Sequence, residues 1–145
     1  MNLQFIPALA DDATSLAELR VAAMRPSLEA VGRFDPQRAR RRFLDTFHPE
    51  QTWKIQHEGE LAGFFVVFKK PDHVWLDHLY VNPAMQNSGL GQQVLALVKA
   101  QATVAKQPLR LCALRDSDAN GFYQKQGFTP YAEEEWDIYY QWLPA

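Results

Sequence analysis

The sequence predicts a mixed α/β fold, with a central sheet of about seven strands flanked by about four helices. Three observations carry that expectation. Short runs of apolar residues, alternating or continuous, are separated by longer segments whose apolar residues recur at helical spacing. A glycine-bearing turn joins an apolar run at residues 73–81 to a helical pattern that continues to about Lys106. A further apolar run at 109–114 follows, and strand–helix–strand implies a parallel pair with a right-handed crossover.

Each element has its own signal. Residues 3–6 read as a first strand, halted by Pro7. Asp11 or Asp12 can cap a helix with Leu16, Leu19, Ala23 and Met24 on its inner face, and Pro26 is expected to end or kink it. Asp35 followed by Pro36 starts a second helix, with Ala39, Phe43, Leu44 and Phe47 as its apolar stripe. From Thr52 the period changes. Trp53, Ile55 and His57 alternate with polar neighbours, and Glu58 with Gly59 suits a tight turn into residues 61–68. That run is apolar on both faces, as a central strand requires. Residues 69–72 turn the chain into the strand at 73–81. The helix after the glycines carries Leu90, Val94, Leu97, Val98 and Val104 until Pro108 stops it. Residues 109–114 are a strand, Ser117 caps a short helix closed by Gly127 at C′, and residues 128–131 and 136–142 complete the sheet. The order is β-α-α-β-β-β-α-β-α-β-β.

A chain of 145 residues can bury a real core, and no repeat, low-complexity tract or Gly/Ser linker marks a boundary. Residues 1–145 are therefore expected to form a single domain. Hydrophobic content of 47% and charged content of 22% exclude disorder, and a net charge of −2 gives no pull toward nucleic acid or anionic membranes. No stretch nears the ~20 apolar residues of a bilayer span, and residues 1–10 lack the basic start and apolar run of a secretion signal. The single cysteine, Cys112, excludes an internal disulfide framework and fits a reducing compartment, so a soluble, cytoplasmic protein is expected. His48, His57 and His73 lack the Cys/His/carboxylate spacing of a metal site, and none is expected.

The segment Gln86-Asn87-Ser88-Gly89-Leu90-Gly91 is the most informative in the chain. A strand that turns sharply into a helix leaves unpaired backbone N–H groups at the positive end of the helix dipole, a seat for a phosphate or diphosphate. A Walker A loop would need Lys after Gly91, and a Rossmann fingerprint would need glycine at Val94 and a place in the first βα unit; both fit badly. The Gln-x-x-Gly-x-Gly turn instead resembles the Gcn5-related N-acetyltransferases (GNAT). Two further segments share the resemblance: Leu79-Tyr80-Val81-Asn82-Pro83 before the turn, and Phe122-Tyr123-Gln124-Lys125-Gln126-Gly127-Phe128 near the end. The element order agrees across nearly the whole chain, which implies the GNAT-like acyl-CoA N-acyltransferase fold.

The resemblance implies direct transfer of the acetyl group of acetyl-CoA to an amine in a ternary complex. It places the diphosphate of the carrier at Gln86, Asn87, Ser88, Gly89, Leu90, Gly91 and Gln92, and its pantetheine arm along the backbone of Leu79, Tyr80 and Val81, like an added strand. A backbone N–H there could also hold the thioester carbonyl oxygen. Tyr123 stands at the position of the family's general acid, beside Phe122, which with Tyr123 is expected at the carrier. A phenol with pKa near ~10 can protonate a thiolate whose conjugate acid lies near ~8.5, given local tuning. Asp77 matches a strand position where relatives carry a catalytic glutamate. By alternation it shares a face with Trp75 and Leu79, an apolar setting that would raise its pKa. An aspartate near ~3.9 is a feeble base for an ammonium, so a water held by Asp77 is the expected relay. His78 has the better intrinsic pKa but points to the opposite face unless this strand is bulged. Many relatives place an asparagine seven residues before the tyrosine; here that position is Asp116, and Asn120 shares its helical face and could reach the carrier instead.

On the acceptor side, the resemblance points to the region of the first two helices, which holds Arg33, Arg38, Arg40, Arg41 and Arg42. These form either a solvated helix face or a site for a carboxylate or phosphate on the acceptor. Met24, Phe34, Phe43 and Trp75 suit an apolar pocket or the core equally well. The expected acceptor is the amine of a small molecule or amino acid. A protein N-terminus or lysine is the rival within enzymes, and a non-catalytic acyl-CoA-binding regulatory domain is the rival of another class. Neither nucleic acid nor membrane is expected as a partner. Exposed edge strands and the aromatic run at 136–142 are compatible with a homodimer. Cys112, inside an apolar strand, is expected to be inert.

Overall fold

The computed structural model describes residues 3–86 and 88–145. Its elements follow the expected order: β1 (Leu3–Pro7), α1 (Ala13–Ala30), α2 (Pro36–Asp45), β2 (Thr52–His57), β3 (Glu60–Lys69), β4 (Val74–Val81), α3 (Leu90–Ala105), β5 (Leu109–Leu114), α4 (Asp118–Lys125), β6 (Thr129–Glu133) and β7 (Asp137–Trp142). The strands form one seven-stranded mixed sheet in the order β1-β2-β3-β4-β5-β7-β6. β4 and β5 pair in parallel, while β1 with β2, β2 with β3, β5 with β7 and β6 with β7 are antiparallel. The chain divides into two compact units, Met1–Val66 with His78–Leu90, and Val67–Asp77 with Gly91–Ala145.

In the first unit, Leu16, Leu19 and Val21 of α1, Ala39 and Phe43 of α2, and Ile55, Phe64, Phe65 and Val66 of β2 and β3 are buried. The Phe43 ring packs edge-on against Phe64 at 5.2 Å, and Phe5 meets Phe65 in the same way at 5.8 Å. Arg20 is buried in this apolar company, 7% exposed. Its Nη1 donates to the carbonyl of Ala39 and its Nε to the hydroxyl of Tyr80 at 3.3 Å, so one guanidinium ties α1 to α2 and β4. These bonds offset the cost of removing a charge from water. The Glu58–Gly59 turn has positive φ at both residues, 53° and 81°, as a two-residue hairpin of the favoured twist demands. β3 carries one extra residue against β2: Ile55 pairs with Gly63 but Gln56 with Leu61, which leaves Ala62 as a bulge. Beside it, a Cβ on Gly63 would lie 2.4 Å from the carbonyl oxygen of Tyr80, so only glycine lets β3 approach β4 there.

Three sequence expectations need correction. Pro26 does not end α1, which runs through it to Ala30. The stop is Gly32: at φ 71° it lets its own N–H reach the carbonyl of Glu29 and the N–H of Arg33 reach that of Leu28, a Schellman closure. Leu44 is exposed, because α2 turns its buried stripe through Ala39 and Phe43 and ends at Asp45. Phe47, beyond the helix, still stacks on Phe43 at 5.3 Å. Val104 is 86% exposed, whereas Leu90, Val94, Leu95, Val98 and Ala102 make the buried stripe of α3. Val104 lies two residues past that stripe, on the opposite side of the helix.

In the second unit, Val74 and Leu76 of β4, the α3 stripe below Leu90, Leu109, Leu111 and Ala113 of β5, Tyr123 of α4, Phe128 and Tyr140 of β7 are buried. α3 closes at Lys106, which takes φ 57° so that Gln107 N–H reaches the carbonyl of Ala102. β7 inserts between β5 and β6, and β6 is left as an edge strand exposed along its whole length.

Candidate active site

The strand-to-helix turn is built by side chains that recapture backbone groups. Asn82 accepts from the N–H of Ala84 at 3.0 Å and so caps the short turn Pro83–Met85. Gln86 Nε2 donates to the carbonyl of Val81 at 3.4 Å, and Ser88 Oγ to that of Met85 at 2.5 Å. Gly89 takes φ 83°, and a Cβ there would meet nothing within 4 Å. Glycine is therefore needed at 89 for its left-handed backbone, not for room. α3 begins at once with Leu90, and its first turn contains no acidic residue. The amide hydrogens of a first helical turn have no partner within their helix, and the dipole adds positive potential. Such a turn fits the diphosphate of a nucleotide carrier. Gln92 follows, exposed, in the same turn. Asn87 lies outside the described residues.

Gly91 has a different reason. A Cβ on it would stand 3.2 Å from the ring of Phe122, so its absence lets α4 pack closely on α3. Phe122 is half-buried against that backbone.

α4 carries Tyr123 between two anchored ends. Its N-terminal end is set by Asn120, whose Nδ2 donates to the carbonyls of Leu114 and Ser117, both at 2.9 Å, and whose Oδ1 accepts from the Tyr140 hydroxyl at 2.8 Å. The amide expected at the carrier is thus engaged in anchoring its own helix. Ser117 stands at the N-cap, but its hydroxyl makes no capping bond. Asp116, at φ 68°, belongs to the turn before the helix. At the other end Gly127, at φ 91°, donates to Gln124 and Phe128 donates to Tyr123, each at 3.1 Å. This is again a Schellman closure, with Tyr123 at C3 and Phe128 at C″ in ring contact at 5.7 Å. Tyr123 is 7% exposed, with the Tyr140 ring at 6.2 Å on another side.

β4 carries the remaining candidates. Leu79, Tyr80 and Val81 are half-buried. The Tyr80 hydroxyl lies between Arg20 Nε and His78 Nδ1, 3.2 Å from the latter. His78 also faces Phe43 at 5.9 Å. Asp77 accepts from Trp75 Nε1 at 2.9 Å, so the two share a face as alternation requires. The apolar enclosure expected around Asp77 is absent, because the residue is exposed. The parallel ladder of β4 with β5 comprises Val74↔Leu109 and Trp75↔Arg110 among the described residues, although β5 continues to Leu114.

Of the arginines of α2, Arg40 pairs with Glu18 of α1 at 2.5 Å, and Arg38, Arg41 and Arg42 are exposed. Burial pushes the Cys112 thiol up to about 11, with help from Asp137, Asp77 and Glu134. Among the described residues no group of His, Cys, Asp or Glu could hold a metal ion, and no helix is long and apolar enough to cross a membrane. Sequence reasoning missed Arg20 and Lys99. A charge at Arg20, four residues after Leu16 on the apolar face of α1, was the available signal for the first; Lys99, four after Leu95, borders the α3 stripe in the same way.

A family model described as an acetyltransferase (GNAT) domain matches residues 48–130, more than half of the chain. No curated protein matches. Among solved structures, the PaiA N-acetyltransferase of Thermoplasma acidophilum, in complex with coenzyme A, superposes with a TM-score of 0.84 at 16% identity over 99% of both chains. A putative GNAT-family acetyltransferase of Desulfovibrio desulfuricans has a TM-score of 0.73 at 21% identity, over 99% of this chain and 100% of that one. The ribosomal-protein-S18-alanine N-acetyltransferase of Escherichia coli has 0.74 at 15%, over 99% and 95%. These likenesses establish the fold, and the family match goes further: the chain belongs to the GNAT acetyltransferases, which take their acetyl group from acetyl-CoA.

Proposed function

We propose that this chain is an N-acetyltransferase that moves the acetyl group of acetyl-CoA directly to the amine of a small molecule or amino acid. The observation that carries the reading is the turn at Gly89, whose left-handed backbone delivers the chain into an α3 first turn free of acidic side chains. The amide hydrogens there hold the carrier's diphosphate, with Ser88, Gly89, Leu90, Gly91 and Gln92 around it and Phe122 against the Gly91 backbone. The 79–81 backbone of β4 pairs with the pantetheine arm, and an N–H on it holds the thioester oxygen.

Tyr123 then acts as the acid. As the N–C bond forms and the C–S bond breaks, its hydroxyl passes a proton to the departing sulfur, a phenol near ~10 serving a thiol near ~8.5. The amine must lose a proton as well. Asp77, exposed and oriented by Trp75, takes it through a bound water. This route suits an unburied carboxylate better than direct abstraction. Asn120 supports the N-terminal end of α4.

The test is titration calorimetry with acetyl-CoA, combined with turnover on panels of metabolite and peptide amines. Tyr123→Phe should lower kcat by about 100-fold or more and leave acetyl-CoA affinity within about twofold, the range expected for loss of a general acid. Full activity of that variant would remove the acid assignment. A wild-type protein that binds acetyl-CoA yet acetylates no amine would favour a regulatory binding domain. Preference for peptide N-termini over free amines would move the acceptor to proteins.

A further inference from the structure

Partial burial of Lys99 in α3 disfavours its charge: desolvation lowers its pKa. A charged group in such a place needs compensation, and three partners supply it. Nζ donates to the carbonyl of Gln126 at 2.5 Å, and it lies 5.6 Å from the centroid of the Phe128 ring and 5.2 Å from that of Trp142. Gln126 is the C-cap of α4, so the ammonium meets the negative end of that helix dipole as well as one of its orphan carbonyls. The Trp142 indole closes the other side of the same corner, with its Cδ1 3.6 Å from where a Cβ on Gly127 would stand. Gln126, Gly127 and Phe128 are the three residues of the closure that fixes Tyr123 at C3. Lys99 therefore clamps the end of the helix from which the Tyr123 hydroxyl works.

We propose that Lys99 is a positioning residue for Tyr123, acting through the C-terminal closure of α4 and its Phe128 ring. The inference rests on the assignment of Tyr123 as the acid. Its physical content is that a short helix has little intrinsic stability and takes its exact pose from its ends. The Asn120 anchor sets one end, and the Lys99 clamp sets the other. Without the ammonium, the Gln126 carbonyl loses its charged partner, Phe128 loses its cation, and the ring against Tyr123 is free to shift. A displacement of about 1 Å at a catalytic group can cost up to about 100-fold in rate.

The experiment compares Lys99→Met, Lys99→Gln and Lys99→Arg with Val98→Ala, a change at the neighbouring buried position of the same helix. All are assayed well below their melting temperatures, with kcat, acetyl-CoA affinity by calorimetry, and the NMR signal of the Tyr123 ring, assigned through Tyr123→Phe. Lys99→Met and Lys99→Gln should lower kcat by about 10-fold with acetyl-CoA affinity within about twofold, and should shift the Tyr123 signal. Lys99→Arg, which keeps a cation between the rings, should recover most of the rate, and Val98→Ala should lose stability without losing kcat. The proposal is overturned if kcat of the neutral variants stays within about twofold of wild type, or if it falls only together with affinity and to the same extent as in Val98→Ala. It also falls if the Tyr123 signal does not move. Those results would leave the acid assignment standing, whereas a fully active Tyr123→Phe would remove both.

Discussion

At the scale of single residues, surroundings override the intrinsic chemistry of a side chain. Cys112 is the measurable case. Pushed up to about 11 by burial and by the carboxylates of Asp137, Asp77 and Glu134, its thiol stays protonated through the neutral range. Since the thiolate is the nucleophile, iodoacetamide should label the native protein far more slowly than the urea-unfolded one between pH 7 and pH 9, by about 100-fold or more. Labelling at equal rates would show that the strand is open. Inertness at Cys112 was readable in the apolar company of its neighbours. The setting of Asp77 was not: alternation correctly paired it with Trp75, but exposure depends on what stands opposite the strand, which no local pattern records. Asn120 teaches the same lesson. Its helical face could be read from spacing, but its commitment to Leu114, Ser117 and Tyr140 could not, because Tyr140 comes from a strand formed later in the chain.

At the scale of elements, ends matter more than interiors. Three helices close by the same backbone device, at Gly32, Lys106 and Gly127, and glycine announces two of them. Gly127 was legible as a stop because it follows the last apolar position of its helix. Gly32 was obscured by Pro26, whose lost N–H and ring clash normally break a helix; here the closure six residues on holds the last turn of α1 in place. The start of α1 carries a pH-dependent lock. Asp12 accepts from the N–H of Leu9 at 2.8 Å and from Lys54 Nζ at 3.1 Å, and these hold its carboxyl below the ordinary 3.8, with the Leu9 bond the larger cause. The folded chain thus binds fewer protons at this site than the unfolded one as pH falls below 3.8. The stabilisation is complete above that value and disappears as pH drops through the lower, folded value. Asp12→Asn should therefore melt at a lower temperature than wild type at pH 7, and the gap should close in acid; a gap independent of pH would show that the charge of Asp12 contributes nothing.

At the scale of the whole molecule, the family assignment makes stability depend on the acetyl carrier. A ligand that binds only the folded chain adds about 2.7 kcal/mol at 100 times its dissociation constant, so acetyl-CoA should raise the melting temperature progressively with concentration. Removing the ligand by dialysis should restore the original value. An unchanged melting temperature at millimolar acetyl-CoA would contradict the proposed seat at Gly89.

The sequence by itself determined the kinds and order of the elements, the parallel β4–α3–β5 unit and the glycine turn, because period, caps and left-handed backbone are properties of neighbours along the chain. Only the tertiary structure decided that β7 would lie between β5 and β6, that Arg20 would be buried under Tyr80, and that Lys99 would clamp the helix of Tyr123. Those arrangements bring together residues tens of positions apart, and their energy comes from pairing and desolvation that exist only once the chain has closed on itself.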